Sequence, residues 1–135
     1  MSKYVIETKN LTKQYGTQKS VANLNIHVQK GRIYGLLGRN GAGKTTTMKM
    51  LLGLTQPTSG EVSIWGKPLA ANEKKLLPRI GSLIESPGFY PNLTATENLR
   101  IFATLRGVPN RGAIKNALDL VGLPYKDKKL FSQYS

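Results

Sequence analysis

A short loop, Gly38 to Thr45, constrains the fold of this chain more than any other segment. Its residues fit the pattern G-x-x-x-x-G-K-[ST], and the apolar run from Ile33 to Leu37 before it is typical of a buried strand. Glycines let such a loop turn its backbone N–H groups toward an anion, and the start of a following helix favours negative charge. The next residues, Thr46 to Leu52, are compatible with a helix that ends at Gly53. The pattern therefore predicts a strand, a phosphate-binding loop and a helix, in that order.

Two side chains of the loop indicate how a nucleotide would be held. Lys44 would reach the β- and γ-phosphates, and the Thr45 hydroxyl would bind Mg²⁺. The predicted phosphate-binding residues are Gly38, Arg39, Asn40, Gly41, Ala42, Gly43, Lys44, Thr45 and Thr46. The alternative is a plain glycine turn with an incidental lysine, and the strand and helix predicted around the loop argue against it.

Composition narrows the class of protein. A chain of 135 residues with 39% hydrophobic content is long enough for one core and too short for two ordinary domains. It has no cysteine, which excludes disulfides, thiolate metal sites and thiol nucleophiles. No apolar run approaches the roughly 18 residues of a membrane-spanning helix, and no signal-peptide stretch follows Met1. We expect a soluble, cytoplasmic chain.

The charge balance is strongly basic, at +13 from 20 Lys and Arg against 7 Asp and Glu. Such a balance suits nucleic acid, anionic lipid or anionic nucleotides. The basic residues are scattered, and the one dense group, Lys126 to Lys129, is interrupted by Asp127. The sequence shows neither an aromatic-rich platform for single-stranded nucleic acid nor a helix suited to reading a DNA groove. We therefore expect no nucleic-acid partner, and a basic nucleic-acid-binding protein is kept only as an alternative.

Hydrophobic periodicity divides the chain into two parts. In the first part, the predicted strands are 4–8, 24–28, 33–37, 61–66 and 80–85, and the predicted helices are 46–52 and 72–77. The alternating strands 4–8 and 24–28 are typical of antiparallel sheets, whereas 33–37 and 80–84 are apolar enough to be buried on both faces.

The second part has helical spacing. Thr94 and Glu97 predict a capping box at the start of a helix over 94–106, and a second helix is predicted over 112–121, with Gly122 at its end. We therefore divide the chain into a nucleotide-binding α/β core at 1–91 and a partial helical subdomain at 92–135.

The order of these motifs resembles the ATP-binding subunit of ABC transporters over nearly the whole chain. Tyr15 in a Lys-Gln-Tyr-Gly turn, the phosphate-binding loop, the segment 54–62, the strand at 80–85 and the segment 92–99 follow in family order. Finer features resemble the bacterial bacitracin and lantibiotic resistance exporters. The resemblance implies an α/β P-loop NTPase fold of ABC type. This fold would combine antiparallel β strands with a truncated parallel core sheet and the start of an α-helical subdomain.

The resemblance also implies a function. An ATPase of this family would couple ATP binding and hydrolysis, with Mg²⁺, to export of a peptide antibiotic or similar drug. Its partners would be a separate transmembrane permease and a second ATP-binding subunit, at the cytoplasmic face of a bacterial plasma membrane. The alternatives are a soluble ABC ATPase of DNA repair or translation, and a nucleotide-binding module without turnover.

Further site residues follow only from the resemblance. Tyr15 would stack on adenine, the loop 83–90 would sense the γ-phosphate and contact the permease, and 94–121 would dock on that partner. Glu85 stands where the family usually has Gln, so it would be a metal ligand and, with Lys44, a catalytic residue. The alternative is a solvent-facing Glu at the end of a strand.

Other residues that hydrolysis needs are not found. Asp119 and Asp127 do not follow an apolar strand, and the sole histidine, His27, comes too early to be the family's switch histidine. The family's signature would begin near Tyr134 and Ser135. We expect the N-terminal part of a longer subunit, inactive alone, whose incompletely covered core strands favour self-association.

Overall fold

A computed structural model describes residues 3–39, 41, 43–84, 88–108 and 112–134. The chain divides into two compact units, Met1–Ile84 and Glu85–Ser135. No helix in these described ranges is both long and apolar enough to cross a bilayer.

An antiparallel sheet is the framework of the first unit. Its strands are β1 (Tyr4–Tyr15), β2 (Gln18–Leu24), β3 (His27–Gln29), β4 (Ser59–Ile64) and β5 (Lys67–Pro68). The central strand β1 pairs with β2, β3 and β4, and β4 pairs with β5, all antiparallel. The predicted antiparallel character is confirmed, but β1 continues well beyond residue 8. The predicted strand 24–28 is in fact the end of β2 and the start of β3.

Two helices cover this sheet. The first, α1 (Lys44–Leu51), follows the phosphate-binding loop, and α2 (Leu69–Leu76) is followed by a short 3-10 turn at Leu77–Arg79. The core that the sheet and helices share consists of Leu11, Val21, Met50, Val62, Ile64, Leu69 and Leu76. The core thus packs α1 against the sheet through Met50, and α1 begins where the phosphate-binding loop ends.

The two predicted parallel strands are not strands in the structure. Residues 33–37 and 80–84 have no strand assignment, Ile33 is fully exposed and Leu37 is 94% exposed. A strand needs a neighbour with which to exchange hydrogen bonds, and the sheet of the described residues offers only antiparallel pairs. An apolar groove of about 510 Å³ lies beside these segments, with Ile80 and Leu83 in its lining. The expectation that both runs are buried strands was therefore wrong for the described chain.

The second unit is helical, as predicted. It contains α3 (Ala95–Leu105), α4 (Ala113–Leu120) and a 3-10 turn at Phe131–Gln133. The Glu97 amide donates to Thr94 Oγ1 at 3.1 Å, and the Thr94 amide donates to Glu97 Oε1 at 2.9 Å. Hydrogen bonds from the Thr94 backbone and side chain lower the pKa of Glu97. The predicted capping box is confirmed.

A buried amide ties the segment before α3 to that helix. Asn98 is 1% exposed; its Oδ1 accepts from the Tyr90 amide at 2.7 Å, and its Nδ2 donates to the Tyr90 and Thr94 carbonyls at 3.0 Å each. The neighbouring Phe89 ring packs edge-on against Phe102 and Phe131, with centroids 5.2 Å apart in both cases. This unit therefore has a small aromatic core and a buried polar anchor.

Candidate nucleotide-binding site

The phosphate-binding loop enters α1 through Gly43, which is the N-cap residue with φ 91° and ψ 9°. This left-handed conformation is easily adopted by glycine. The Gly43 carbonyl accepts the first helical hydrogen bond, from the Thr47 amide at 2.8 Å. The described first turn of α1 has neither an acidic residue nor a side-chain cap on its N–H groups. Its amides and the positive end of the helix dipole are therefore open to an anion.

The end of the loop lies directly against β2. A Cβ atom on Gly43 would collide with the Ser20 carbonyl oxygen and lie 3.0 Å from Val21 Cγ2. Val21 belongs to the core, so this close approach places the end of the loop against the packed interior of the unit. Gly43 is needed for two reasons, its backbone conformation and the lack of space for a side chain.

A pocket of about 430 Å³ opens at this junction. Its lining consists of Gln18, Ser20, Gly41, Gly43, Lys44, Thr45 and Thr46. Lys44 is the only charged residue in this described lining, so the pocket is positive. Its ammonium donates to the Gly38 carbonyl, which places it across the loop. A loop that folds around a lysine in this way can exchange the carbonyl for a phosphate oxygen.

The predicted loop residues fall into three groups. Gly41, Gly43, Lys44, Thr45 and Thr46 line the pocket, and Gly38 is held to it through Lys44. Arg39 is exposed and does not contribute to the described lining. Asn40, Ala42 and Glu85 lie outside the described residues. The nucleotide-binding roles of all of these residues stay predictions.

Tyr15 lies at the end of β1 with half of its surface exposed (52%). Lys13 Nζ lies 5.2 Å from its ring centroid and donates to the Gln56 carbonyl at 2.7 Å. The anchored ammonium holds the ring by a cation–π contact. Because an ammonium over the ring occupies only one face, the other face remains available for stacking.

The chemistry of the pocket suits Mg²⁺ in one respect. Thr45 supplies a hard hydroxyl oxygen beside Lys44 in the lining. Among the described residues, no group of three or more His, Cys, Asp or Glu converges on a metal position. Mg²⁺ commonly keeps several waters and binds through a few protein oxygens together with phosphates, so a single hydroxyl at this place fits that mode.

Gln18 and Ser20 line the pocket but were missed from the sequence, which placed Tyr15 in a turn and predicted no strand between residues 8 and 24. A signal was present, because Gly16 and Thr17 between two polar β-compatible segments are a two-residue hairpin turn, and Gly16 has φ 59°. Recognising the hairpin would have made β2 a strand and placed Gln18 at its start.

Three other polar candidates make local contacts within their own units. His27 is exposed on β3, and its ring packs edge-on against Tyr4 at 5.0 Å. Asp119 is on the surface of α4, where it accepts a hydrogen bond from Lys115 at 3.1 Å. Asp127 accepts from the Lys129 amide at 3.2 Å. These contacts support the interpretation of all three as structural or surface groups.

Comparison with protein families gives one match for residues 21–135, to the ABC transporter model. The bacitracin transport ATP-binding protein BcrA of Bacillus licheniformis is 56% identical over 97% of this chain and 43% of its own length. The lantibiotic transport ATP-binding protein SrtF of Streptococcus pyogenes is 39% identical over 97% of this chain and 56% of its own length. The chain therefore spans about half the length of these curated relatives.

Solved structures show the same fold. An ATP-binding subunit of an ABC transporter matches with a TM-score of 0.78 and 29% identity, over 97% of this chain and 56% of that one. An ABC transporter ATP-binding protein from Pyrococcus furiosus matches with a TM-score of 0.76 and 26% identity, over 96% of this chain and 62% of that one. The antiparallel sheet and the helices described above are thus part of a known architecture.

Proposed function

The chain belongs to the ABC transporter family, and on that premise we propose that it forms the phosphate-binding part of a transporter's ATP-binding subunit. The observation that carries this proposal is the junction at Gly43. There β2, the loop and the start of α1 enclose a positive pocket around Lys44. A rigid strand on one side and a helix N-terminus on the other are what an immobilised polyphosphate needs.

In the proposed complex, the phosphates replace the Gly38 carbonyl as the partner of the Lys44 ammonium. Amides at the start of α1 donate to the same phosphates. Charge-assisted hydrogen bonds of this kind contribute about 1.5–3 kcal/mol each. Since Gly43 already lies against β2, this end of the loop needs little ordering when the nucleotide binds.

The proposed metal is Mg²⁺, bound through the Thr45 hydroxyl and the phosphates, with Glu85 as a second oxygen ligand. When bound, this ion would neutralise negative charge on the phosphates. Tyr15 is proposed to stack on the adenine with the ring face that Lys13 leaves open. Glu85 is further proposed to act in hydrolysis, because a carboxylate can serve both as a ligand and as a base.

The activity of the longer protein is also a proposal. We infer that it hydrolyses ATP as one of two facing subunits and drives export through a separate permease, at the cytoplasmic face of a bacterial membrane. Peptide antibiotics are the proposed cargo, because two of the relatives are named for bacitracin and lantibiotic transport. For the described chain alone we propose binding without turnover, since Asp119 and Asp127 accept hydrogen bonds from Lys115 and Lys129 within the second unit and neither follows an apolar strand.

The test is equilibrium binding of a fluorescent ATP analogue with Mg²⁺, together with a phosphate-release assay. Lys44→Ala is expected to weaken binding about 10- to 100-fold, the loss of one charge-assisted hydrogen bond. Lys49→Ala is the matched control, because Lys49 is in the last turn of the same helix, outside the pocket lining. Equal affinities for the two variants would contradict phosphate binding at this loop.

A further inference from the structure

We propose that Gln18 contacts the sugar of the bound nucleotide and makes the site prefer ribonucleotides to deoxyribonucleotides. This inference rests on the proposed function, because it requires ATP in the pocket around Lys44. It assigns a role to a residue that lies outside the phosphate-binding loop. The geometry that supports it comes from β2 and from the hairpin that joins β2 to β1.

Gln18 lies on the pocket side of β2, a short distance from the proposed phosphate position. Gln18 and Ser20 are two residues apart on β2, so their side chains lie on the same face, and both line the pocket. Ser20 marks the phosphate end, because its carbonyl is the atom that Gly43 approaches. Two residues of strand span about 6.8 Å. Gln18 therefore lies about that far from the phosphate end of the pocket.

Gln18 also lies beside Tyr15, the proposed position of the base. Tyr15 and Gln18 are directly paired at the turn end of the β1–β2 hairpin, on either side of Gly16 and Thr17. A nucleotide is arranged in the order base, sugar, phosphates. With the base on Tyr15 and the phosphates between Gly43 and Thr46, the sugar lies in the interval that Gln18 borders.

The Gln18 side chain has the chemistry to recognise a sugar hydroxyl. A glutamine amide offers both donors and an acceptor, which matches a hydroxyl that can donate and accept. The Gln18 side chain is exposed and makes no hydrogen bond with the described residues. By contrast, the neighbouring Gln14 is already engaged, because its Nε2 donates to the Gly16 carbonyl at 2.8 Å. Of these two amides, Gln18 is the one that remains available to a ligand.

The experiment compares the dissociation constants of ATP, 2′-deoxy-ATP and 3′-deoxy-ATP, with Mg²⁺, for the full chain and its variants. Gln18→Leu removes the amide at similar size, and Gln18→Ala removes the side chain as a second test. Lys19→Met is the control, because Lys19 is adjacent but lies on the opposite face of β2. The loss of charge at Lys19 weakens the binding of all three nucleotides alike, so the ratios of their dissociation constants are unaffected.

The wild-type chain is expected to bind ATP about 2- to 10-fold more tightly than at least one deoxy analogue. A difference of this size is what one hydrogen bond, between the Gln18 amide and a sugar hydroxyl, contributes to binding. In both Gln18 variants this ratio falls to about 1, whereas Lys19→Met keeps it. Wild-type binding without preference, or a preference that survives in both Gln18 variants, overturns the inference while Lys44-dependent ATP binding stands. If the wild-type chain shows no Lys44-dependent binding, the proposed function fails, and this inference fails with it.

Discussion

Replacing Gly43 by Ala tests the contact between β2 and the phosphate-binding loop. The new methyl group would meet the Ser20 carbonyl oxygen and Val21 Cγ2, and the backbone would have to keep φ at 91°. A left-handed conformation costs a non-glycine residue about 1–2 kcal/mol. Forcing an extra methyl into a packed site costs about 1–3 kcal/mol. The two together predict a loss of about 2–5 kcal/mol in the free energy of unfolding.

Urea denaturation followed by circular dichroism measures this loss. With a slope of about 2 kcal/mol per molar urea, the midpoint should fall by about 1–2.5 M. Nucleotide affinity should fall as well, because the amides of the loop can no longer keep their positions beside β2. The stability change and the binding change are measured on the same variant under conditions where it is folded.

Two other glycines serve as matched controls. Gly16 also has a positive φ, 59°, but a Cβ atom there meets nothing within 4 Å, so Gly16→Ala should lose only about 1–2 kcal/mol. Gly60 has φ 86°, and a Cβ atom there would collide with the Asn10 carbonyl and lie 2.6 Å from the Lys9 oxygen. Gly60→Ala should therefore destabilise as much as Gly43→Ala. Its folded form should bind nucleotide normally, because Gly60 is on β4, outside the pocket lining.

If Gly43→Ala is no less stable than Gly16→Ala, the loop does not lie against β2. Equal losses of nucleotide affinity in folded Gly43→Ala and folded Gly60→Ala would contradict a role of this contact in binding. In that case Gly43 would have only the structural role of Gly60.

Three further predictions concern other parts of the chain. Asn98→Ala should cost about 2–4 kcal/mol of unfolding free energy, because it leaves buried backbone groups unpaired, whereas exposed Asn116→Ala should change it by less than about 0.5 kcal/mol. At pH values above the ordinary pKa of 4.5, the charged Glu97 carboxylate stabilises the fold through the hydrogen bonds with Thr94 that lower its pKa. Urea titrations at several pH values should therefore show that the stability advantage over Glu97→Gln disappears as the pH falls through the lowered pKa. Light scattering after size-exclusion chromatography should show concentration-dependent association that Ile33→Lys with Leu37→Lys reduces, and a wild-type chain that is monomeric throughout would contradict this.

Local patterns allowed the most accurate predictions from the sequence. The capping box depends on two residues three apart, so Thr94 and Glu97 located the start of α3 without any knowledge of the rest of the fold. The phosphate-binding loop is similar, because Gly43 and Lys44 must occupy fixed places relative to the helix that they begin. In both cases the physical cause lies within a few residues of the pattern.

Features that depend on distant partners were predicted less well. The apolar run 33–37 shows that burial would be favourable there, but it carries no information on which strand would pair with it. In the same way, Ser20 has an ordinary sequence environment, and only the folded sheet brings its carbonyl to Gly43. The position of the loop at the start of α1 was therefore predictable from the sequence, whereas the strand residues on the other side of its pocket were not.

The contacts at residues 130–133 have a consequence for synthesis on the ribosome. The Phe131 amide donates to the Leu93 carbonyl at 2.8 Å, and the Ser132 amide donates to the Pro91 carbonyl at 3.1 Å. Both α3 and α4 lie between these partners in the chain, and the hydrogen bonds within each helix join residues only four apart, so these bonds can close before Phe131 is synthesised. The stretch that contains Pro91 and Leu93 must wait for residues 130–133 before its carbonyls are paired. The second unit therefore completes these contacts only after residues 130–133 have been synthesised, later than its two helices.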